Sequence, residues 1–294
     1  MNGISYKTQK IIIVFGFLII PVVLLSTFTY YPAVKMMYLS FTSWDGYSDA
    51  ASWIGFDNYK EIFTNSELFG VFAHHLPYVL VGIVQNAAAI VFAVILNSKL
   101  RGRNGFRVIL FLPFIMNAVA VAFMFQYVFD TQNGSLNVLL NFIGIGKISW
   151  LGNQSLVNFS LALIGFWKFM GYNMVIYLGA LQAISGDMYE AAKIDGANRF
   201  QTLWHLTLPN LTKIIQLNMF LTVSGALGVF DLPFVLTKGG PAGASETFLF
   251  KTVETAFQFN NFGLASAMSI VLLVMTVLIL GVQNLVINGR GEAR

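Results

Sequence analysis

Six stretches of this chain stay apolar for about twenty residues or more, enough for a helix to cross ~30 Å of hydrocarbon. They run approximately over residues 11–33, 74–96, 108–129, 158–181, 213–235 and 264–287. No other feature constrains the fold as tightly, because backbone groups in lipid must be satisfied within the segment and such windows therefore become helices. The 294 residues are 56% hydrophobic and only 10% charged, whereas a soluble domain carries about 25% charged residues. The expectation is an all-α membrane protein with six transmembrane helices and no large soluble domain. Lys7 and Lys10 precede the first window as in a secretory signal. That window is too long for the usual signal core, and no small-x-small cleavage site comes before Tyr30, Tyr31 and Pro32, so a retained helix is expected. Without cysteine, disulfides, thiolate catalysis and thiolate metal sites are excluded.

Charge placement sets the expected orientation. Lys7, Lys10, Lys99, Arg101, Arg103, Arg107, Lys193, Arg199, Lys213, Arg290 and Arg294 fall on one side of the six windows. The other side holds Lys35, Lys60, Lys147, Lys238, Lys251 and most of the acids. Basic loops stay cytoplasmic, which places both termini there. The net charge of +4 then reflects topology and calls for no nucleic-acid partner. Residues 34–73 read as an outer cap with a short helix near Asn58–Phe63. The chain is expected to divide into residues 1–70, the first helix and cap, and 71–290, the core.

Enzymatic signatures fail on inspection. Gly144, Gly146 and Lys147 do not complete a phosphate loop, since Asn141 and Ile148 break its pattern. The GGPAGAS run reads as a glycine-rich connector. His74 and His75 are adjacent and point to different faces, and His205 lies across the membrane, so no metal cluster is expected. No catalytic constellation can be assembled, and the chain does not read as an enzyme.

The cytoplasmic run EAAKIDGANRFQTLWHLTLPNL, Glu190 to Leu211, is polar yet structured. Asp187 with Glu190 reads as a helix start, with MYEAAKI as the helix. Gly196 ends it with a tight reversal that glycine accepts cheaply. Asn198 with Gln201 offers a second cap, Phe200, Leu203 and Trp204 form an apolar stripe, and Pro209 is expected to stop or bend that helix. Ala191 and Ala192 leave a smooth surface for close packing. A helix–glycine–helix element between two spans reads as a docking surface.

The spacing of Glu190, Ala191, Ala192, Gly196, Leu208 and Pro209 resembles the EAA loop of permease subunits in ATP-binding-cassette (ABC) importers. The likeness extends further. FWKFMGYNMVIYLGALQAISGDMYEAAKIDGA resembles the fourth helix and coupling loop of MalF-like carbohydrate permeases, and Thr237, Gly239, Gly240 and Pro241 match a signature beyond their fifth helix. Pro32, LSFTSWDG, GFDNYKEIF, LRGRNGFR and FLPFIMNAV fit the N-terminal half. Ser185 stands where the family commonly has proline, and Leu203 where it often has phenylalanine.

This resemblance implies a type I importer permease in the bacterial inner membrane, with a cytoplasmic coupling helix. It implies a second permease subunit, an extracytoplasmic solute-binding protein, and two ATPase subunits docked on Glu190, Ala191, Ala192, Asp195 and Gly196. No cofactor is expected on this chain, and ATP and Mg would be used by the ATPases. The cargo implied is a carbohydrate, of di- or oligosaccharide size. A glycerol-phosphate or polyol permease is the alternative, and an ion-driven secondary transporter a more distant one.

Polar groups inside spans are costly and normally face a cavity or a partner. Lys168 and Asp231 are expected to form a structural ion pair between the fourth and fifth helices. Trp167, Phe169, Tyr172 and Asn173 on the fourth helix, with Asn218, Thr222 and Gly225 on the fifth, are the expected substrate path. Aromatic faces suit pyranose C–H groups, and amides or hydroxyls suit sugar hydroxyls.

Overall fold

The computed structural model describes residues 5–48, 51–98 and 100–288. Lys99, Arg290 and Arg294, used above for orientation, lie outside them. Among the described residues the chain is helical, with one isolated bridge between Thr42 and Trp53. The helices are α1 (Tyr6–Leu25), α2 (Tyr31–Leu39), α3 (Asp57–Thr64), α4 (Ser66–Phe69), α5 (Leu76–Asn97), α6 (Arg103–Ile115) and α7 (Ala118–Val128). There follow α8 (Ser135–Phe142), α9 (Val157–Gln182), α10 (Gly186–Ile194), α11 (Arg199–Thr202), α12 (Leu208–Leu227), α13 (Phe248–Phe257) and α14 (Phe262–Asn288).

Four of the six expected windows fall in continuous helices long and apolar enough to cross a bilayer: Tyr6–Leu39, Ser66–Asn97, Val157–Gln182 and Phe262–Leu285. The window at 108–129 is broken, with α6 and α7 inclined by 101°. Pro113 cannot donate to the helix ladder, Met116 is extended, and the Asn117 side chain accepts from Val119 N to start α7 afresh. As a bent pair these two helices bring the count to five. The 213–235 window differs most. Its helix ends at Leu227, Gly228 to Phe230 are non-helical, and Pro233–Thr237 forms a wide π turn. With Asn210, Lys213, Gln216 and Asn218 in its sequence, α12 is not among the helices apolar enough to span by composition alone.

The chain divides into two compact units, Met1–Asn65 with Thr252–Val271, and Ser66–Lys251 with Leu272–Arg294. In the first, no side chain of α1 is buried. Beyond α2, Phe41 stacks on Trp53 and meets Phe56 edge-on, both at 5.3 Å. The buried Asn58 amide donates to Ser40 O and Thr42 O at 2.9 Å each and holds this knot to α3.

In the second unit α9 is the central post, with α5, α6 and α12 packed around it. Tyr177, Met174, Leu211, Ala89 and Ala93 fill one core; Leu161, Ile164, Val121 and Tyr78 fill another. Backbones approach closely where α6 crosses α9. A Cβ on Gly171 would collide with the Leu110 carbonyl and lie 2.8 Å from Phe111 N, so only glycine fits. Arg107 donates to Leu96 O at 2.8 Å, closing the C-terminal end of α5.

Candidate functional site

Helices of the second unit line a partly open cavity of about 360 Å³. Its walls are one face of α9, the second half of α12 with the segment after it, and the first half of α5, with Ala118 at the start of α7 completing the lining. Lys168 and Tyr172, and Phe169 and Asn173, are i, i+4 pairs, so consecutive turns of α9 present the same face. The Tyr172 ring is fixed by stacking on Phe114 of α6, centroids 4.4 Å apart and planes within 17°.

Of the expected path residues, Phe169, Tyr172, Asn173, Thr222 and Gly225 line this cavity. Trp167 does not. It packs edge-on against Phe125 at 5.3 Å within the core. Asn218 is wholly buried one turn before Thr222 and also stays out of the wall. Gln85, Gly82 and Tyr78 of α5 do line it and were absent from the sequence expectation. Their readable signal was a glutamine and an asparagine, Gln85 and Asn86, inside an otherwise apolar span.

The Thr222 hydroxyl is already engaged. It accepts from the Asn86 amide at 2.8 Å and donates to Asn218 O at 2.8 Å. Asn86 also donates to Gly82 O at 3.0 Å and accepts from the Tyr177 hydroxyl at 2.7 Å. A polar network thus ties α5, α9 and α12 together beside the cavity, and Thr222 supplies structure there before any contact to a solute.

Lys168 and Asp231 both line the cavity, but the expected ion pair is not formed. No salt bridge joins these two, whereas elsewhere Lys251 meets Glu246 at 3.2 Å. The Lys168 ammonium lies 5.7 Å from the Phe169 ring centroid, a cation–π contact. Asp231 sits beyond the end of α12, not within it, because Gly228 has already terminated that helix.

His74 and His75 do other work. His75 is buried, with Nδ1 donating to Ala226 O at 2.9 Å and Nε2 accepting from Phe248 N at 3.1 Å. His74 Nδ1 donates to Glu246 O at 2.8 Å. The pair clamps the glycine-rich connector to the start of α5 and the end of α12.

A second surface lies on the stretch joining α9 to α12. Ser185, not Asp187, caps α10, its hydroxyl accepting from Asp187 N at 3.3 Å. The residue noted as a departure from proline is therefore the residue that starts the helix. Gly196 reverses the chain with φ +78°, and Asn198 and Gln201 exchange side-chain and backbone bonds at 2.8 and 2.9 Å to start α11. The stretch neither stops nor breaks at Pro209. It widens into a π turn over Leu203–Thr207, and Pro209 lies in the first turn of α12, where its missing N–H is tolerated. Glu190, Ala191, Asp195 and Gly196 are exposed and Ala192 half-buried. Ile194, Phe200 and Trp204 stay exposed too, an apolar patch on a polar loop.

These features define a polytopic helical membrane protein with a cavity between its helices and a capped helical loop between two of the cavity's walls. The chain belongs to the family of binding-protein-dependent transport system inner membrane components, whose pattern matches residues 85–290. It is 32% identical over 277 residues to the probable ABC transporter permease protein YurN of Bacillus subtilis, covering 92% of this chain and 94% of that protein. It is 30% identical over 262 residues to the multiple sugar-binding transport system permease protein MsmF of Streptococcus mutans, covering 88% and 89%. The fold is similar to that of a bacterial ABC transporter solved by crystallography and involved in import of the acidic polysaccharide alginate. There the TM-score is 0.82 at 21% identity, covering 96% of this chain and 97% of the other. The chain is an ABC transporter permease subunit and not an enzyme.

Proposed function

We propose that this chain is the permease subunit of an ABC importer for a di- or oligosaccharide. It would form the translocation path with a second permease and receive its cargo from an extracytoplasmic binding protein. The observation that carries the reading is the cavity walled by Phe169, Tyr172, Asn173 and Gln85, whose two main walls, α9 and α12, are joined by the α10–α11 loop. Aromatic and amide groups suit a sugar, and the name of the Streptococcus relative points the same way. In this reading both termini and α10 are cytoplasmic. Two ATPase subunits dock on Glu190, Ala191, Ala192, Asp195 and Gly196, and ATP and Mg are theirs alone. Nucleotide and loaded binding protein favour the outward-open state, and hydrolysis restores the inward-open one.

The test is transport by the complex of this chain with its co-encoded partners in proteoliposomes. Sugar accumulation should require ATP and loaded binding protein and should ignore ionophores. Uptake driven by an ion gradient without ATP would overturn the reading in favour of a secondary transporter.

A further inference from the structure

Surface helices normally turn their polar residues outward, but α8 (Ser135–Phe142) holds a polar residue inside and sets apolar ones outside. Asn137 is 2% exposed. Its amide donates to Thr131 O at 3.1 Å and Ile148 O at 2.8 Å, and its oxygen accepts from Ile148 N at 3.2 Å and Trp150 Nε1 at 3.0 Å. Val138, Leu139 and Phe142 lie on the other side, within an arc of about 100°. All three are exposed, Leu139 at 63% and Phe142 at 82%, and so are Ile143 and Ile145 just beyond the helix. Residues 133–146 include no charged side chain.

This helix sits at the end of α9 opposite the α10–α11 loop. Trp150, which Asn137 holds, accepts at its carbonyl from the Ser160 hydroxyl in the first turn of α9 at 2.8 Å, and its ring stacks on Phe129 at the end of α7. With 26 residues, α9 is about 39 Å long against ~30 Å of hydrocarbon, so its first turn reaches the headgroup level. Against α8 packs α7, which belongs to the bent pair apolar enough to span and exposes Val119, Phe123 and Tyr127, an i, i+4, i+8 stripe. The apolar face of α8 thus carries on from a membrane-spanning segment. In water these side chains would stay hydrated at a cost of about 25 cal/mol per Å². A protein partner is ordinarily met by a polar rim around the apolar centre, and this charge-free run supplies little of one.

We infer that α8 is a lipid-binding interfacial helix, lying at the membrane boundary with Val138, Leu139 and Phe142 among the upper acyl chains. Its seat fixes the depth of the Asn137–Trp150–Ser160 junction, and through it the first turn of α9, whose later turns line the cavity. The seat is the same whatever the cargo.

The chain has no cysteine of its own, so a single introduced one can carry a nitroxide label. Leu139→Cys and Phe142→Cys are made separately, and each is labelled in the transporter assembled with its partner permease and ATPases in nanodiscs. The unsubstituted complex gives the background. Both positions are exposed, so the label fits without disturbing the fold. Power saturation with oxygen and with a water-soluble nickel chelate, calibrated by spin-labelled lipids, reports the depth. Both labels should favour oxygen over nickel and lie about 5–10 Å below the headgroup level. Adding solute-binding protein should leave both depths unchanged. Ready access of nickel to both labels overturns the lipid seat; if that access falls when binding protein is added, the face belongs to the binding protein instead. Exclusion of oxygen and nickel together overturns it as well and assigns the face to the second permease.

Discussion

Replacing Gly171 by alanine adds one methyl group where the backbones of α6 and α9 touch. The added carbon would overlap the Leu110 carbonyl and press on Phe111 N at 2.8 Å. Neither is the flexible end of a side chain, so the helices themselves must part. Overpacking of this kind costs roughly 1–3 kcal/mol. If the strain is relieved on unfolding, the inactivation rate at fixed temperature rises about 5- to 150-fold. The next residue, Tyr172, stacks on Phe114 of the same α6, so parting the helices also displaces the cavity wall. The control is on the same helix: a Cβ on Gly179 meets nothing within 4 Å. There alanine should be neutral or stabilising by up to about 1 kcal/mol through helix propensity. Inactivation half-lives of the two variants in nanodiscs, with cargo binding measured alongside, decide the matter. Equal half-lives for Gly171→Ala and Gly179→Ala would refute the close-packing argument.

Other changes test other parts of the chain. Thr222→Val leaves the Asn86 amide without one acceptor and should cost about 1–3 kcal/mol, lowering complex yield and thermal stability; normal stability with lost uptake would instead assign Thr222 to the solute. Gly196→Val places a β-branched residue at φ +78°, a strain of about 1–3 kcal/mol, and should abolish co-purification of the ATPases, whereas Gly196→Asn should retain it. Ser185→Ala removes the cap of α10 and should cost about 1 kcal/mol, seen as faster hydrogen exchange confined to that helix. Bonds from Ser48 N, the Ser48 hydroxyl and Tyr47 N hold the Asp45 carboxyl down from 3.8 to about 2. The turn's carboxylate contribution is therefore complete above pH ~4 and is lost only as pH falls through about 2, which NMR titration of Asp45 would follow.

Hydropathy made the spans legible because lipid demands internally bonded segments, and the deviations have local causes. Pro113 and Asn117 were visible within the third window, yet apolar continuity masked a 101° break. The fifth window ran on through Gly228, and that carried Asp231 into a helix it does not occupy. A span's length sets depth but not the termination of a helix, and two charges placed within neighbouring spans need not meet. Trp167 illustrates a second gap. On α9 buried residues run right round the helix, from Leu161 and Ile164 to Met174, Tyr177 and Leu178. With no polar face to contrast, spacing groups Phe169 with Tyr172 but cannot say which face meets a cavity. The contribution of α5 is hidden in the sequence because Gln85 and Asn86 are two polar residues in an otherwise apolar run, whose mean hydropathy they hardly change. The loop was read more fully, since capping residues and a glycine act through their immediate neighbours. Even there the cap fell to Ser185, because α10 already begins at Gly186 and the free N–H that needs a partner is that of Asp187 itself.

The two halves of the functional reading meet in α12. At its start the Leu203–Thr207 π turn separates it from the exposed loop, and at its end Gly228 separates it from the segment carrying Asp231. Between these two points its hold on α5 runs through Thr222, bonded to Asn86, which in turn is bonded to Tyr177 of α9. Those bonds depend on one register. A slip of α12 along α5 must break the Thr222–Asn86 bond outright, while the packed side chains around it permit only discrete alternatives. The Asn218 side chain is wholly buried one turn away. A helix that grows out of a π turn, ends at Gly228 and carries a polar latch in its middle is held to α5 by hydrogen bonds worth about 1 kcal/mol each. Force applied at the α10–α11 loop would reach the cavity wall through that latch, because α12 is the element that the loop and the cavity share.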